Sequence, residues 1–163
     1  MTIAKLLSSK GLLVDTNLLV LLVIGALNPD QISDHQLMSK YSAADYRLLK
    51  SFVDRFKLVV TTPNILTETS NPLEGCAYRG QQALAVLERI AQFTHEVFYD
   101  SLLTMRGHST SYLKFGLSDS VIHRVAEDNY TILTDDLRLC AYLQGRGLTA
   151  INFSNLLTDS LLH

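Results

Sequence analysis

The distribution of apolar residues along the chain predicts short buried strands alternating with amphipathic helices. Four apolar runs have the length of strands and occur at 11–14 (GLLV), 57–61 (KLVVT), 130–134 (YTILT) and 148–153 (LTAINF). Apolar residues recur at helical spacing over 42–56, 62–71, 79–93, 117–129 and 134–147. Strands that are apolar on both faces are typical of parallel sheets covered by helices. The pattern therefore predicts an α/β fold with a central, mostly parallel sheet flanked by helices on both faces.

Helix-capping residues support this division, and two segments remain without a clear period. Ser42 precedes one predicted helix, and Thr62 followed by Pro63 opens another. The segments 28–41 and 99–116 are predicted as loops with helical turns. The apolar run after Asp15 is predicted to be a core helix, with support of a homodimer as the alternative use of its surface.

Composition limits the classes of protein to which the chain can belong. With 163 residues, 47% hydrophobic and 18% charged, it fits one domain over 1–163 with a core over about 11–153. The net charge of −2 gives no global basic surface, so a polyanion must be bound by a local patch. Cys76 and Cys140 are expected to be free thiols in a reducing compartment. Asp15 and Asn17 interrupt the longest apolar run, so we expect a cytoplasmic protein with no membrane partner.

Acidic residues occur repeatedly next to the predicted strands. Asp15 directly follows the first strand, and Asp135 and Asp136 directly follow the strand YTILT. Asp119 lies in the first turn of the helix before that strand, and Glu68 lies in the helix after KLVVT. Ligands of open parallel sheets bind at the carboxyl ends of the strands. We therefore expect these carboxylates to lie together at one edge of the sheet.

Each carboxylate taken singly also has a purely structural interpretation. Asp15 could cap the helix that begins at Thr16, Asp135 could cap the helix at 136, and Asp119 could complement a helix N-terminus. Two carboxylates about 4 Å apart, however, repel by about 4 kcal/mol at an effective dielectric constant of 20. A cluster of them needs a cation, and oxygen ligands without His or Cys favour Mg²⁺ or Mn²⁺.

Four motifs resemble those of PIN-domain ribonucleases, including VapC-type toxins. They are LLVDTNLLV, TPNILTE, LSDSVIHRVAE and YTILTDDLRL, which occur in the order of that family and extend over about 11–153. The resemblance implies a PIN-like fold and a Mg²⁺- or Mn²⁺-dependent endoribonuclease with a catalytic set of Asp15, Glu68, Asp119 and Asp136. These residues would bind the metal, with Asp135 as a second ligand or only a helix cap, because Asp136 matches the last motif more closely.

Further expectations follow from the same resemblance. Thr16, Asn17, Ser118 and Thr134 would orient the carboxylates or a water molecule. The substrate would be RNA, single-stranded, cleaved to a 5′-phosphate and a 3′-hydroxyl, and the toxin subgroup implies an antitoxin protein as partner. The interval between Asp15 and Glu68 is longer than in the compact toxins, which predicts an insertion at about 28–41.

Cations for substrate binding occur just before Asp119. Arg106, His108 and Lys114 alternate there with Tyr112 and Phe115, a pattern that suits phosphate contacts and base stacking but is also typical of a solvated loop. Arg79, Arg124 and Arg138 are predicted as surface residues of helices. The remaining histidines show no metal-ligand spacing and are assigned no chemistry: His35, His95, His123 and His163.

Two other functions remain open from the sequence. An aspartyl-phosphate phosphatase also carries Asp after its first strand and an acidic pair after a late strand, with Asn17 in place of the second Asp. A non-catalytic PIN-like module that binds RNA or a partner protein would keep the fold without the chemistry. The complete carboxylate set favours the nuclease.

Overall fold

The computed structural model describes residues 9–36, 38–74 and 80–161, and among these it forms one five-stranded parallel sheet. The spatial order of the strands is β3-β2-β1-β4-β5. The strands are β1 (Leu12–Val14), β2 (Val59–Thr61), β3 (His95–Glu96), β4 (Thr131–Thr134) and β5 (Ala150–Asn152). The prediction of an α/β fold with a parallel sheet is confirmed.

Strand β1 lies at the centre of the sheet, and its register with both neighbours aligns the carboxyl ends of the strands. Leu13 is opposite Val60 of β2 on one side and Ile132 of β4 on the other. Because every pair is parallel, the residues that follow β1, β2 and β4 leave the sheet at the same edge. This edge carries the acidic residues described below.

Helices account for most of the remaining described chain. The α-helices are α1 (Thr16–Leu27), α2 (Ala43–Val53), α3 (Pro63–Glu74), α4 (Gly80–Gln92), α5 (Ser101–Gly107), α6 (Ser109–Phe115), α7 (Leu117–Glu127), α8 (Leu137–Gly145) and α9 (Phe153–Leu161), with a 3-10 helix at Pro29–Asp34. Helices α2, α3 and α4 contact α1, whereas α5, α6 and α8 contact α7. Helices α3 and α7 also contact each other, which brings the two groups together beside the sheet.

Helix α1 lies in the core, as its apolar sequence predicts. Most of its residues are buried, among them Leu18, Leu21 and Val23, which are fully excluded from solvent. A helix that is apolar on all sides requires packing partners on all sides. Its contacts with three helices and with β4 supply them.

The predicted helix starts agree with the capping contacts. Ser42 and Asp45 form a reciprocal capping box at the start of α2. The Thr62 hydroxyl accepts a hydrogen bond from the Ile65 amide at 3.3 Å, and Pro63 is the first residue of α3. Helix α8 begins at Leu137 rather than at 134, because Thr134 ends β4 and Asp136 is the capping residue.

The sequence pattern failed to predict β3 and underestimated the helix content of the two segments predicted as loops. Strand β3 has only two residues, and it is recognisable by its pairing with Val60 and Thr61 rather than by an apolar period. Segment 28–41 contains the 3-10 helix, and segment 99–116 contains α5 and α6. These helices are six or seven residues long, too short for a period to stand out.

The predictions about the cysteines, about Arg79 and His163 and about membrane spans have different outcomes. Cys140 is buried with a free thiol, whereas Cys76, Arg79 and His163 lie outside the described residues. In the described part of the chain, no helix combines the length and apolarity that a membrane crossing requires.

A substitution of Gly25 tests the packing of α1 against α2. A Cβ atom on Gly25 would overlap the ring of Tyr46, whereas one on Gly145 would meet no neighbouring atom within 4 Å. We expect Gly25→Ala to lower the free energy of unfolding by about 1–3 kcal/mol through overpacking, and Gly145→Ala to leave it unchanged or slightly raised. Urea unfolding of both variants measures the difference, and equal stabilities would contradict this packing.

Candidate active site

Four carboxylates from separate segments lie together at the carboxyl end of the sheet. Asp15 directly follows β1, Glu68 lies on α3, Asp119 lies in the first turn of α7, and Asp136 caps α8. The negative charges of Asp15, Glu68 and Asp136 all act on Asp119. The structure therefore brings together the catalytic set expected from the sequence.

Asp15 is both the capping residue of α1 and a member of this cluster. Its Oδ1 accepts a hydrogen bond from the Thr16 amide at 2.7 Å, so the predicted cap is confirmed. Its Oδ2 accepts a short hydrogen bond from the Thr134 hydroxyl at the end of β4. Burial raises the pKa of Asp15 to about 6, although these two hydrogen bonds act to lower it. The charges of Asp135 and Glu68 act in the same direction as burial.

Glu68 is held by two hydroxyl groups from other segments. Its Oε2 accepts hydrogen bonds from Thr16 Oγ1 at 3.2 Å and from Ser118 Oγ at 3.0 Å. Two of the residues expected to orient carboxylates thus contact the same carboxylate oxygen. These bonds connect the starts of α1 and α7 through one side chain of α3.

Asp119 differs from the other three because its side chain accepts no hydrogen bond within the described part of the chain. Burial raises its pKa to about 7, with the charges of Asp15, Asp136 and Glu68 acting in the same direction. A carboxylate that is partly buried among like charges and has no donor is electrostatically unfavourable. This is the feature that a bound cation would relieve.

Of the two consecutive acids after β4, Asp136 and not Asp135 caps α8. The interpretation of Asp135 as the cap of α8 is wrong, because Asp136 Oδ1 accepts hydrogen bonds from the amides of Arg138 at 2.6 Å and Leu139 at 3.0 Å. The Thr134 hydroxyl also accepts from the Asp136 amide at 2.9 Å. Thr134 therefore links Asp136 to Asp15.

Asp135 is held by side chains from the segment before α2. Its Oδ2 accepts from Lys40 Nζ at 2.7 Å and from the Tyr41 hydroxyl at 2.8 Å, and its Oδ1 accepts from Asn17 Nδ2 at 3.1 Å. Burial acts to raise the pKa of Asp135, but these three hydrogen bonds outweigh it and hold the pKa below its usual value. The carboxylate is therefore ionised although its side chain is only 4% exposed.

Lys40 and Tyr41 are site residues that sequence reasoning missed. They lie in a segment predicted as loop, and Lys40 is 95 positions away from Asp135 along the chain. No local pattern in the sequence marks a contact between such distant residues. Asn17, by contrast, was expected to orient a carboxylate and does so.

The residues predicted to bind RNA do not share one environment. Arg106 is exposed near the end of α5, and Lys114 Nζ lies 4.9 Å from the ring centre of Phe115 and 5.3 Å from that of Tyr142. Arg138, predicted as a surface residue, is exposed and lies over the same Phe115 ring at 5.8 Å. Lys114, Phe115, Arg138 and Tyr142 form what we call the basic aromatic patch.

His108 belongs to a second cluster rather than to that patch. Its Nε2 lies 2.8 Å from Glu127 Oε2, and its ring meets that of His123 edge to face with centres 4.8 Å apart. Burial lowers the pKa of His123, despite the charge of Glu127, so its ring is neutral near pH 7. The i, i+4 spacing of His123 and Glu127 is the sequence signal that could have drawn attention to this cluster.

Comparison with known proteins identifies no relative of this chain. The chain matches no protein-family model, and no curated protein matches it either. The resemblance to PIN-domain ribonucleases therefore depends on the four sequence motifs.

The raised pKa of Asp119, caused by burial and by the neighbouring negative charges, predicts a distinct pH dependence of stability in metal-free buffer. Because its pKa is raised to about 7 from 3.8, the folded state binds more protons between these values, and stability falls as pH rises through them. Asp119→Asn removes this contribution. We expect its free energy of unfolding, relative to the wild type, to increase from pH 5 to pH 8 by on the order of 1–2 kcal/mol after allowance for solvent screening.

Taking the difference between the two proteins cancels the opposite contribution of His123, whose lowered pKa makes stability rise with pH up to about 6.5. Chemical unfolding at several pH values, with a chelator present, measures the difference. A difference that is constant over this range, or that decreases, would contradict the raised pKa of Asp119.

Removal of one hydroxyl tests the support of Asp135. Tyr41→Phe deletes the 2.8 Å hydrogen bond to a buried carboxylate, and we expect a loss of about 1–3 kcal/mol in the free energy of unfolding. Tyr142→Phe is the matched control, because the buried Tyr142 hydroxyl has no hydrogen-bond partner in the described structure. Equal effects of both changes in urea unfolding would argue against a supporting role for Tyr41.

Proposed function

We propose that this protein is a Mg²⁺- or Mn²⁺-dependent endoribonuclease of the PIN type that hydrolyses phosphodiester bonds of single-stranded RNA. The observation that carries the proposal is the convergence of Asp15, Glu68, Asp119 and Asp136 at one edge of the sheet, with raised pKa values at Asp15 and Asp119. Such a cluster is electrostatically costly without a cation.

The donor set fits a hard divalent cation. The cluster contains carboxylate oxygens and hydroxyl groups, and the described histidines and Cys140 are not among its members. Mg²⁺ and Mn²⁺ prefer such oxygen ligands. We assign Asp15, Glu68, Asp119 and Asp136 to the metal, which when bound would activate a water molecule and neutralise charge on the scissile phosphate.

We assign Asp135 to positioning rather than to direct metal binding. Both of its oxygens already accept hydrogen bonds, and the Lys40 ammonium competes with a cation for Oδ2. Its negative charge nevertheless acts on Asp15. Asp135 would thus fix Asn17 and segment 28–41 beside the site.

The chain's own hydroxyl groups hold the carboxylates in fixed orientations. Thr134 binds Asp15, while Thr16 and Ser118 bind only the Oε2 atom of Glu68. The Oε1 atom of Glu68 remains for a cation or for a proton of the attacking water. Orientation of the reacting groups is itself a large part of catalysis.

Two surfaces next to the carboxylates suit single-stranded RNA. In the basic aromatic patch, Arg138 lies two residues after Asp136 along the chain. The patch supplies the positive charges of Lys114 and Arg138 for phosphates. On another side, a groove that includes Glu68 is lined by Phe98 and Tyr99, and Phe98 is 72% exposed. Aromatic rings at such surfaces favour the stacking of unpaired bases, and cations favour phosphate contacts.

Replacement of Asp119 by Asn gives the direct test of activity. We expect Asp119→Asn to lose at least about 100-fold in Mn²⁺-dependent cleavage of a mixed pool of single-stranded RNAs, because the metal would be misplaced, while the fold is retained. Asp34→Asn, an exposed acid on the 3-10 helix, is the matched control and should cleave like the wild type. Cleavage and melting temperature are measured on the same preparations, with EDTA as a second control.

The outcomes separate the competing functions. Cleavage by Asp119→Asn within a few-fold of the wild type would remove Asp119 from the site. RNA binding without cleavage in either protein would support the non-catalytic module, and hydrolysis of p-nitrophenyl phosphate without RNA cleavage would support the phosphatase. An antitoxin partner, a homodimer and a cytoplasmic location stay predictions from the sequence.

A further inference from the structure

The cluster of His108, His123 and Glu127 presents three potential metal ligands from two segments of the chain. His108 lies at the junction of α5 and α6, whereas His123 and Glu127 are one turn apart on α7. One ligand atom from each residue lies within 4.8 Å of the other two. The distance from His108 Nε2 to Glu127 Oε2 is 2.8 Å, and that from His123 Nε2 to Glu127 Oε1 is 3.6 Å.

The lack of hydrogen-bond partners for the buried His123 ring, among the described residues, is an independent sign of a ligand. The residue is 3% exposed, and neither of its ring nitrogens has a hydrogen-bond partner in the described structure. The Nδ1 atom of His108 is buried without a partner as well. Buried polar side chains in native proteins are nearly always hydrogen-bonded. A histidine that has no partner and faces a carboxylate and a second histidine is therefore suited to bind a cation.

The ligand types select a different class of metal from that of the carboxylate site. We propose that His108, His123 and Glu127 bind a transition-metal dication, Zn²⁺ foremost, at a second site that holds the α5–α6 junction against α7. Two imidazoles and one carboxylate form a ligand set that Zn²⁺ uses in proteins, and imidazole favours Zn²⁺ over Mg²⁺.

The spacing of the ligand atoms agrees with such an ion after small side-chain movements. Ligand atoms about 2.0–2.2 Å from a tetrahedral Zn²⁺ lie about 3.3–3.6 Å from one another. The distances to Glu127 are 2.8 Å from His108 to Oε2 and 3.6 Å from His123 to Oε1. The first is shorter than this range and the second lies at its upper limit, while one ligand atom from each of the three residues lies within 4.8 Å of the others. The side chain of Glu127 is 36% exposed, which leaves a path for the ion from solvent.

Arg124 is a competitor for the same carboxylate. Its Nη1 lies 3.1 Å from Glu127 Oε2, the oxygen that also contacts His108. A metal ion would displace this partly exposed guanidinium. Arg124→Gln should therefore bind Zn²⁺ at least as tightly as the wild type, although it lacks an ion pair.

The second site is separate from the carboxylate site, although both involve α7. Glu127 lies eight residues after Asp119, which corresponds to a rise of about 12 Å along the helix. The proposal does not depend on nuclease activity. Its test uses metal binding alone, so failure of either proposal leaves the other intact.

Titration of metal-free protein with Zn²⁺ in the presence of excess Mg²⁺ tests the site, because excess Mg²⁺ competes with Zn²⁺ for carboxylate oxygens but poorly for imidazole. We use Asp119→Asn as a common background to weaken the first site further. We expect one Zn²⁺ per chain by calorimetry and a Zn²⁺-dependent rise in melting temperature. When Co²⁺ replaces Zn²⁺, we expect visible d–d absorption of the bound Co²⁺ ion.

Three variants and one control decide the outcome. Glu127→Gln, His108→Asn and His123→Asn should each raise the Kd for Zn²⁺ at least 10-fold, whereas His95→Ala, which removes an exposed histidine of β3, should leave it unchanged. If His123→Asn fails to fold, the other two variants decide. Absence of saturable Zn²⁺ binding, or binding that Glu127→Gln and His108→Asn leave unchanged, would overturn the proposal.

Discussion

Repulsion between carboxylates at the carboxyl end of the parallel sheet is the constraint on which the surrounding structure depends. Burial raises the pKa of Asp15 to about 6 and that of Asp119 to about 7, and the charges of neighbouring acids act in the same direction. Neighbouring groups offset part of this cost: Thr134 donates to Asp15, and Thr16 and Ser118 donate to Glu68. Asp119 receives no such donor from the described residues, so the offset is incomplete. A divalent cation bound between these acids, as proposed above, would complete it.

The topology of the sheet explains how acids so distant in sequence meet. Strands β1 and β4 are neighbours and parallel, so Asp15 and the pair that follows β4 leave the sheet side by side. Thr134, the last residue of β4, contacts both Asp15 and the Asp136 amide and so fixes the spacing of the two strand ends. Segment 28–41 adds Lys40 and Tyr41, whose hydrogen bonds keep Asp135 ionised in a nearly buried position. Lys40 and Tyr41, which immediately precede the Ser42 cap of α2, are therefore part of the site.

Sequence patterns were sufficient for the fold class, for four of the five strands and for the convergence of the carboxylates, because these follow from apolar runs and from residues next to them. Edge strand β3 and the short helices α5 and α6 could not be predicted, since tertiary contacts rather than periodicity define them. The support of Asp135 by Lys40 was equally hidden, because it joins residues 95 positions apart. The sequence suggested Asp135 as the cap of α8, but β4 and α8 are placed so that Asp136 is the capping residue. His123 and Glu127 did carry a helical spacing, but their relation to His108 required the packing of α5 and α6 on α7.

Anomalous diffraction at the manganese absorption edge, from crystals grown with Mn²⁺, tests the central claim most directly. A peak is expected among Asp15, Glu68, Asp119 and Asp136, within about 2.0–2.3 Å of carboxylate oxygens, as is usual for a hard divalent cation bound by oxygen. The peak should be absent from crystals of Asp119→Asn grown under the same conditions. Well-ordered carboxylates with no peak between them, at millimolar Mn²⁺, would contradict the metal site and the hydrolytic mechanism that depends on it.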